Sequence, residues 1–434
     1  ATNGIFANQL GSTFTAQGNV ITGVSNMGIQ VSHFDGLAVI GGDSAAEAND
    51  ITTVDANAYG IYASNLAYVS LADVTIQGNV VNSAGSGIWL EELQGNTLVG
   101  GATPAEGNQI TSVFAGVLDL AYSAPGLLTL QNNQINSGSS GVVLTDIANT
   151  VTAIGNTINA ANYGFEIGPV AAASLIQIGG LGSGEGNLIT VTGGFGYGIN
   201  SILPHHLTIQ GNTIIADSWG VYTQNVAGNL LIQGNQFSSL NFGGGLFAIE
   251  AFDVSGVTTI GGFGIGEANT IDGFTFGVSL SSAVDVEIAN NQISNVLVGV
   301  SLSNVGTVNN PVNVESNIIT GIGVGPYGIF LDNASLTAPV FATIQRNTIS
   351  GFVAGISALE ATATITNNFS NSNDYGVDAS GSASNVVAFE NDFSVNNLLA
   401  INNTSGVLVD ASGIRYGANT ETGVAAAVTA DVDY

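Results

Sequence analysis

The chain has 434 residues, 31 Asp+Glu against 2 Lys+Arg and a net charge of −29, which excludes nucleic acid and disfavours anionic membrane surfaces, since both call for clustered cations. Cysteine is absent, so disulfides, cysteine–zinc sites and thiol nucleophiles fall away together. Hydrophobic residues make up 45% and charged residues only 8%, whereas disorder goes with low hydrophobicity, so the chain is expected to fold.

The chain starts at Ala1 with no basic-then-apolar leader, which reads as a secreted, extracellular or cell-surface product whose signal peptide has been removed. Residues 1–18 read as an N-terminal cap or lead-in segment. From there one unit recurs: alternating aliphatics, an Asn, an aliphatic two residues on, then Gly and another aliphatic. Val74-Thr-Ile-Gln-Gly-Asn79-Val-Val81 runs on to Gly87-Ile88, and Leu207-Thr-Ile-Gln-Gly-Asn212-Thr-Ile214 to Gly220-Val221. The Asn positions are Asn19, Asn49, Asn79, Asn108, Asn133, Asn156, Asn187, Asn212, Asn235, Asn269, Asn291, Asn317, Asn347, Asn368 and Asn391, about 27 residues apart on average, a solenoid-like period.

Within each unit the aliphatics alternate, as in Val286/Ile288, Val312/Val314 and Ala342/Ile344, and period two means strands with one buried face. Short strands at this period, without helical stretches or two-residue Asn-Gly hairpins between them, close by winding. The predicted fold is all-β, a single-stranded right-handed parallel β-helix of about 15 coils. It forms one solenoid domain over 1–434, with the coils over 19–408. Stacked at one corner, the Asn amides are expected to bond along the axis as a ladder. The Gly that follows is expected to supply the positive φ of a tight corner. Residues 409–434 read as a C-terminal cap or assembly segment, in which Thr422–Thr429 is apolar and strand-compatible.

Glu47, Glu106, Glu185 and Glu267 each precede a ladder Asn by two residues, after a Gly-Gly corner. Such a carboxylate can join backbone carbonyls around calcium, although a turn-stabilising hydrogen bond is the plainer expectation. His205-His206 puts His206 outward but offers no third metal ligand nearby. The apolar stretch from Val113 to Leu130 contains Asp119 and Pro125, too interrupted for a membrane-spanning helix.

Asp285 and Glu287 alternate outward on one strand, roughly 6.6 Å apart along the backbone, within the range of glycosidase carboxylate pairs. Asn229/Leu231 and Pro311/Asn313, taken as the flanking coils, add no supporting acids, aromatics or bases. Arg346 and Arg415 are the only strong cations. Arg346 stands where Gly78, Gly211 and Gly234 stand in other coils, and the two are too far apart in coils to act together.

Four loops carry a resemblance. Ile40-Gly-Gly-Asp-Ser-Ala-Ala-Glu47-Ala-Asn49, Val99-Gly-Gly-Ala-Thr-Pro-Ala-Glu106-Gly-Asn108, Ile178-Gly-Gly-Leu-Gly-Ser-Gly-Glu185-Gly-Asn187 and Ile260-Gly-Gly-Phe-Gly-Ile-Gly-Glu267-Ala-Asn269 look like the Ile-Gly-Gly…Gly-Asn-Ile repeats of bacterial secreted and surface proteins with a pectate-lyase-like β-helix. The resemblance runs from about Gly18 to about Leu408 and implies the fold, while the superfamily spans lyases, hydrolases, epimerases, tailspikes, adhesins and structural proteins. Its lyases use a Lys or Arg near carboxylate-bound calcium, and this chain has no Lys. Its mannuronan epimerases carry Tyr-Gly-Phe-Asp-Pro-His, matched here only as far as Tyr163-Gly-Phe-Glu166.

The reading that follows is a non-enzymatic extracellular structural or surface protein, a homo-oligomer assembling head to tail into a fibre or layer. It has no cofactor, and calcium is the one candidate ion. The alternative is a polysaccharide-binding adhesin or a polysaccharide-degrading glycosidase or lyase.

Overall fold

The computed structural model describes the whole chain except residues 66–71, 121–125, 149, 171–173, 241–244, 334–339, 419 and 430 and the side chain of Leu10; part of the apolar stretch from Val113 to Leu130 thus lies outside the described residues. The chain is a right-handed parallel β-helix of about 16 turns, and its contacts divide it into two compact units, Ala1–Asp217 and Ser218–Tyr434.

In the first unit each coil contributes three short strands to three sheets. Tyr59–Ser64, Val74–Gln77 and Val80–Ser83 pair in parallel with Ser86–Glu91, Thr97–Gly100 and Gln109–Ser112 of the next coil. The register is set by burial, because a slip of one residue would turn each apolar row to solvent. Ile29, Ile61, Ile88, Val117 and Val142 form one such row in the first sheet, none more than 1% exposed. Each such side chain is worth about 1.5–3 kcal/mol of burial.

The Asn ladder lies at the corner between the second and third sheets. In the first unit each Nδ2 from Asn19 to Asn187 donates to the Oδ1 of the next rung, ending at Asn212, at 2.8–3.0 Å. In the second unit the rungs run from Asn235 to Asn391 at 2.9–3.1 Å. Nδ2 also donates to a backbone carbonyl, as from Asn133 to Val99 O at 2.9 Å. Amides buried in this way are bonded on both sides, which is what makes their burial tolerable.

The recurring glycine does something other than the spacing suggested. Gly87 and Gly116 lie inside first-sheet strands without positive φ. A Cβ on Gly87 would stand 2.6 Å from the carbonyl oxygen of Gly116, and one on Gly116 the same distance from Gly141 O. These glycines are needed for close approach between coils. The left-handed corner falls instead on the residue before the ladder Asn, as at Gly78 with φ +62° and at Arg346 with φ +56°. Spacing alone cannot separate the two uses of Gly, since both recur once per coil.

The coil also starts earlier than Asn19. Asn3–Leu10 pairs with Met27–Phe34 and Phe14–Ala16 with Ala38–Gly41, because a ladder Asn stands at the second corner of its coil and two strands precede it. At the other end Val409–Asp410 pairs with Val432–Asp433. Within the run Thr422–Thr429, expected to suit a strand, residues 422–426 lie in the helix Glu421–Ala426, capped by Thr420, whose Oγ1 accepts from Gly423 N at 3.1 Å. Alanine-rich sequence behind a Thr cap with Glu421 in the first turn favours that turn of helix. Among the described residues no helix is long and apolar enough to cross a membrane.

The second unit uses longer, continuous strands, Gly245–Gly261, Phe274–Ala289 and Ile318–Asp332, that run through corners which interrupt the strands of the first.

Candidate functional site

The sequence-picked residues do not converge. Glu106, Glu185 and Glu267 accept through Oε2 from the backbone N–H three residues earlier, Thr103, Gly182 and Gly264, at 2.7–2.9 Å. At Glu47 the Ser44 hydroxyl donates to Oε2 at 3.0 Å and holds the carboxyl below its ordinary range. Each Glu thus closes its own loop, the half of a capping box that neutralises an orphan N–H. Each Glu carbonyl also accepts from the left-handed corner glycine of the preceding coil, as Gly78 N to Glu106 O at 2.8 Å. Among the described residues no group of three or more His, Asp and Glu is arranged to hold a metal ion.

Asp285 is exposed and Glu287 half-buried. Their immediate neighbours on one side are Val257 and Thr259, with Asn313 beside Glu287 on the other. Asn229/Leu231 therefore lies one coil further back than its spacing suggested, because in the coil between the Gly-Gly loop separates the strand ending at Gly261 from its ladder residue Asn269. His205 and His206 pack edge to face at 4.4 Å. Arg346 pairs with Glu315, and Arg415 with Asp392 at 3.1 Å, so both guanidinium groups are engaged.

What does converge is a set of aromatic and acidic side chains on the outward positions of the first sheet. The register places Tyr62 against Trp89, Ser64 against Glu91 and Tyr59 against Ser86. The ring of Tyr59 meets Trp89 at 4.3 Å and 80°, Tyr62 meets Trp89 at 5.9 Å and 80°, and Tyr59 and Tyr62 are 6.3 Å apart. Rings this close to perpendicular make the walls of a corner. Tyr62 Oη donates to Glu91 Oε2 at 2.5 Å. Burial, then the Glu91 bond and charge, push the Tyr62 hydroxyl up to about 12, and burial followed by Glu91 raises Tyr59. The Trp89 indole N–H is buried and has no hydrogen-bond partner among the described residues.

Under this corner lies an acid that the alternation should have kept out. Asp119 occupies an inward position between Leu90 and Leu144 of the adjacent coils and is 4% exposed. Burial, then the charge of Glu92, push its carboxyl up to about 7. The signal was in the sequence: Val117 and Asp119 share one strand face, so an acid there faces the core.

The second unit has a related patch. Trp219 stacks on Phe247 at 6.3 Å and 17°, Phe247 on Phe276 at 4.7 Å and 16°, and Tyr222 tilts against Phe252 at 5.9 Å. Trp219 Nε1 donates to Glu250 Oε2 at 2.7 Å. Burial raises the Glu250 carboxyl while the indole bond opposes the rise.

No known protein family and no curated protein matches the chain. Among solved structures, a threonine-to-asparagine mutant of the periplasmic alginate epimerase AlgG is similar, with 12% identity, a TM-score of 0.37, and 80% of this chain and 77% of that chain covered. The epimerase without that change gives 12%, 0.31, 82% and 76%, and an aspartate-to-alanine mutant 12%, 0.29, 91% and 76%. The likeness stops at the coil, which the strand register of this chain establishes by itself. Nothing in these comparisons places the chain in a non-enzymatic branch.

Proposed function

We propose that the chain is a polysaccharide-binding β-helix acting outside the cytoplasm, with the corner formed by Tyr59, Tyr62, Trp89 and Glu91 as its binding surface. One observation carries the reading: the Trp89 ring stands nearly perpendicular to both Tyr59 and Tyr62, Tyr62 holds the Glu91 carboxylate, and the buried indole N–H has no acceptor among the described residues. A buried donor left unpaired costs about 1–3 kcal/mol. A sugar supplies what the corner lacks, a hydroxyl to accept from the indole and an apolar C–H face to lie against a ring.

Further along the first sheet, three and four coils beyond Trp89, stand the stacked pair Tyr163 and Tyr197 at 5.5 Å and Glu166, which accepts from Ser140 Oγ at 2.9 Å.

Isothermal titration with hexasaccharides of neutral, amino and uronate type tests the reading. Binding to at least one class, lost in Trp89→Ala and Tyr59→Ala but kept in Phe247→Ala, is the expected result. No heat with any class overturns it. Release of reducing ends, abolished by Asp285→Asn or Glu287→Gln, would replace the binding reading with a glycosidase centred on that pair.

A further inference from the structure

We infer that the third sheet of the first unit carries a second binding site, a groove for a neutral polysaccharide chain. The inference shares its ligand class with the reading above but rests on different residues, on a different sheet from the Trp89 corner.

The groove encloses about 330 Å³ at the ends of the strands Gln109–Ser112, Gln134–Ser137 and Thr157–Ala160, in the lower range of small-ligand clefts, about 300–1,000 Å³. Thr111, Asn136 and Asn159 line it in register, one from each coil. Neighbouring strands lie about 4.8 Å apart, close to the advance of one unit in an extended sugar chain. Asn159 Nδ2 donates to Asn136 Oδ1 at 3.0 Å. That bond leaves Asn136 Nδ2 and Asn159 Oδ1 unspent among the described residues, as are the hydroxyls of Thr111 and of Thr192, which lines the groove from the next coil.

Ser112 gives a second, independent sign. It lines the same groove, is 6% exposed, and its Oγ has no hydrogen-bond partner. The residues in register with it are bonded: Ser83 Oγ shares a bond of 2.9 Å with Thr53 Oγ1, and Ser137 Oγ donates to Phe114 O. On the third sheet of the second unit, Asp272 Oδ1 accepts from Ser294 Oγ at 2.6 Å and from Asn295 Nδ2 at 2.7 Å. Those groups answer one another, whereas the groups of the groove need an outside partner.

The ligand class follows from what the groove offers. No ionisable side chain among the described residues lines it, so a carboxylate or ammonium entering would lose water without gaining a counter-charge. A sugar hydroxyl both donates and accepts. Adjacent hydroxyls of one sugar can therefore take the amide N–H of Asn136 and give to Asn159 Oδ1, while Ala160 and Ala161 present an apolar edge to its C–H groups. Gly193 N donates to Ala161 O at 2.7 Å, which pins the chain beyond Thr192 before any ligand arrives.

Titration calorimetry on the Trp89→Ala chain separates this groove from the corner. At least one of cellohexaose, mannohexaose and xylohexaose should bind that chain. Adding Asn136→Ala or Asn159→Ala should weaken the binding about tenfold, and adding Ser112→Ala about threefold without lowering the melting temperature, since the hydroxyl it removes has no partner. Raising NaCl from about 20 mM to about 300 mM should change the affinity by less than about twofold, because no charge takes part. The salt test needs no substitution in the groove, so it survives a variant that unfolds.

Neutral hexamers that bind the unaltered chain but not Trp89→Ala overturn the groove and leave the corner standing. Binding that Trp89→Ala leaves whole and Asn136→Ala removes supports the groove and counts against the corner. Unchanged affinity in Asn136→Ala and Asn159→Ala, or alginate or glucosamine hexamers binding Trp89→Ala as tightly as the neutral ones, overturns the inference. Binding of no hexamer to the unaltered chain sinks both readings.

Discussion

The two aromatic patches use the same residue types on the same sheet of their respective units and end in opposite states. In the second unit Trp219 gives its N–H to Glu250, and its ring lies nearly parallel to Phe247, which lies nearly parallel to Phe276. Donor, acceptor and ring faces are consumed internally, as in a packed cluster. In the first unit Tyr62 takes the carboxylate, so the indole of Trp89 is left over, and the rings meet at 80° instead of stacking. The difference is which aromatic donor reaches the Glu. Composition cannot tell a binding surface from a self-satisfied cluster; the accounting of donors and ring faces can.

The patches also differ in what lies beneath. Asp119 occupies a core position one coil beyond Trp89, whereas Thr223, Ala251 and Leu280, none of them ionisable, hold the equivalent row in the second unit. Asp119 has a folded value raised from 3.8 to about 7. The folded state therefore prefers the protonated form, its penalty is absent below about pH 4 and grows as pH rises to about 7. At about 1.4 kcal/mol per unit, Asp119→Asn and Asp119→Leu should gain about 2–4 kcal/mol at pH 8 and nothing at pH 4 by chemical denaturation. A pH-independent effect would mean that Asp119 is not titrating in this range, and the contrast between the two patches would then be confined to their surfaces.

The ladder is common to both units and should not distinguish them. Asn133→Ala removes the acceptor of Asn108 and the donor to Asn156, and Asn291→Ala does the same to Asn269 and Asn317. Each should cost about 1–3 kcal/mol through unsatisfied buried amides. A large inequality between the two melts would show that one unit tolerates a broken rung better, and the patches would then have to be compared on unequal scaffolds.

The two tryptophans give the most direct comparison. Trp219→Phe deletes a bond to a carboxylate and should cost about 1–2 kcal/mol. Trp89→Phe deletes a buried donor without a partner among the described residues and, by removing that penalty, should leave stability unchanged or raise it by up to about 1–3 kcal/mol, while weakening hexasaccharide binding. Equal losses in thermal melts would mean that the Trp89 N–H is paired in solution, and the binding reading would lose its main support.

How much of this was legible in the sequence follows from what repeats. The coil, the parallel register and all fifteen rungs could be read because each Asn is surrounded by the same alternation, and burial enforces one register. The corner at Tyr59, Tyr62 and Trp89 could have been found by aligning Gly60 with Gly87, which puts Tyr62 beside Trp89. Ring angles and the choice between Tyr62 and Trp89 as donor to Glu91 depend on rotamers, which no spacing records. Asp285 and Glu287 looked stronger because two acids on one strand are visible without knowing the coil between. Asp119 reads as an interruption of an apolar stretch when the stretch is taken as a whole, and as an inward acid when it is placed on the Val117 face.

The smallest effect concerns the corner before the ladder. In the first unit that left-handed position is glycine at Gly18, Gly78, Gly155 and Gly211, with Asn132 the exception, while the second unit begins with Gly234 and then places Asn290, Ser316, Arg346, Asn367 and Glu390 there. A side chain other than Gly or Asn in this conformation costs about 1–2 kcal/mol. At Arg346 the ion pair with Glu315 offsets part of that, but the arginine side chain is 62% exposed, so the pair is worth at most about 1 kcal/mol. Arg346→Gly relieves the backbone and loses the pair; Arg346→Ala loses the pair and relieves nothing. The expected order of melting temperatures is therefore Arg346→Gly at or slightly above the unaltered chain, and Arg346→Ala below both by about 0.5–1 kcal/mol. If Arg346→Gly melts lowest, the Glu315 pair rather than backbone strain governs these corners, and the second unit's departure from glycine is a gain in charge pairing instead of a tolerated cost.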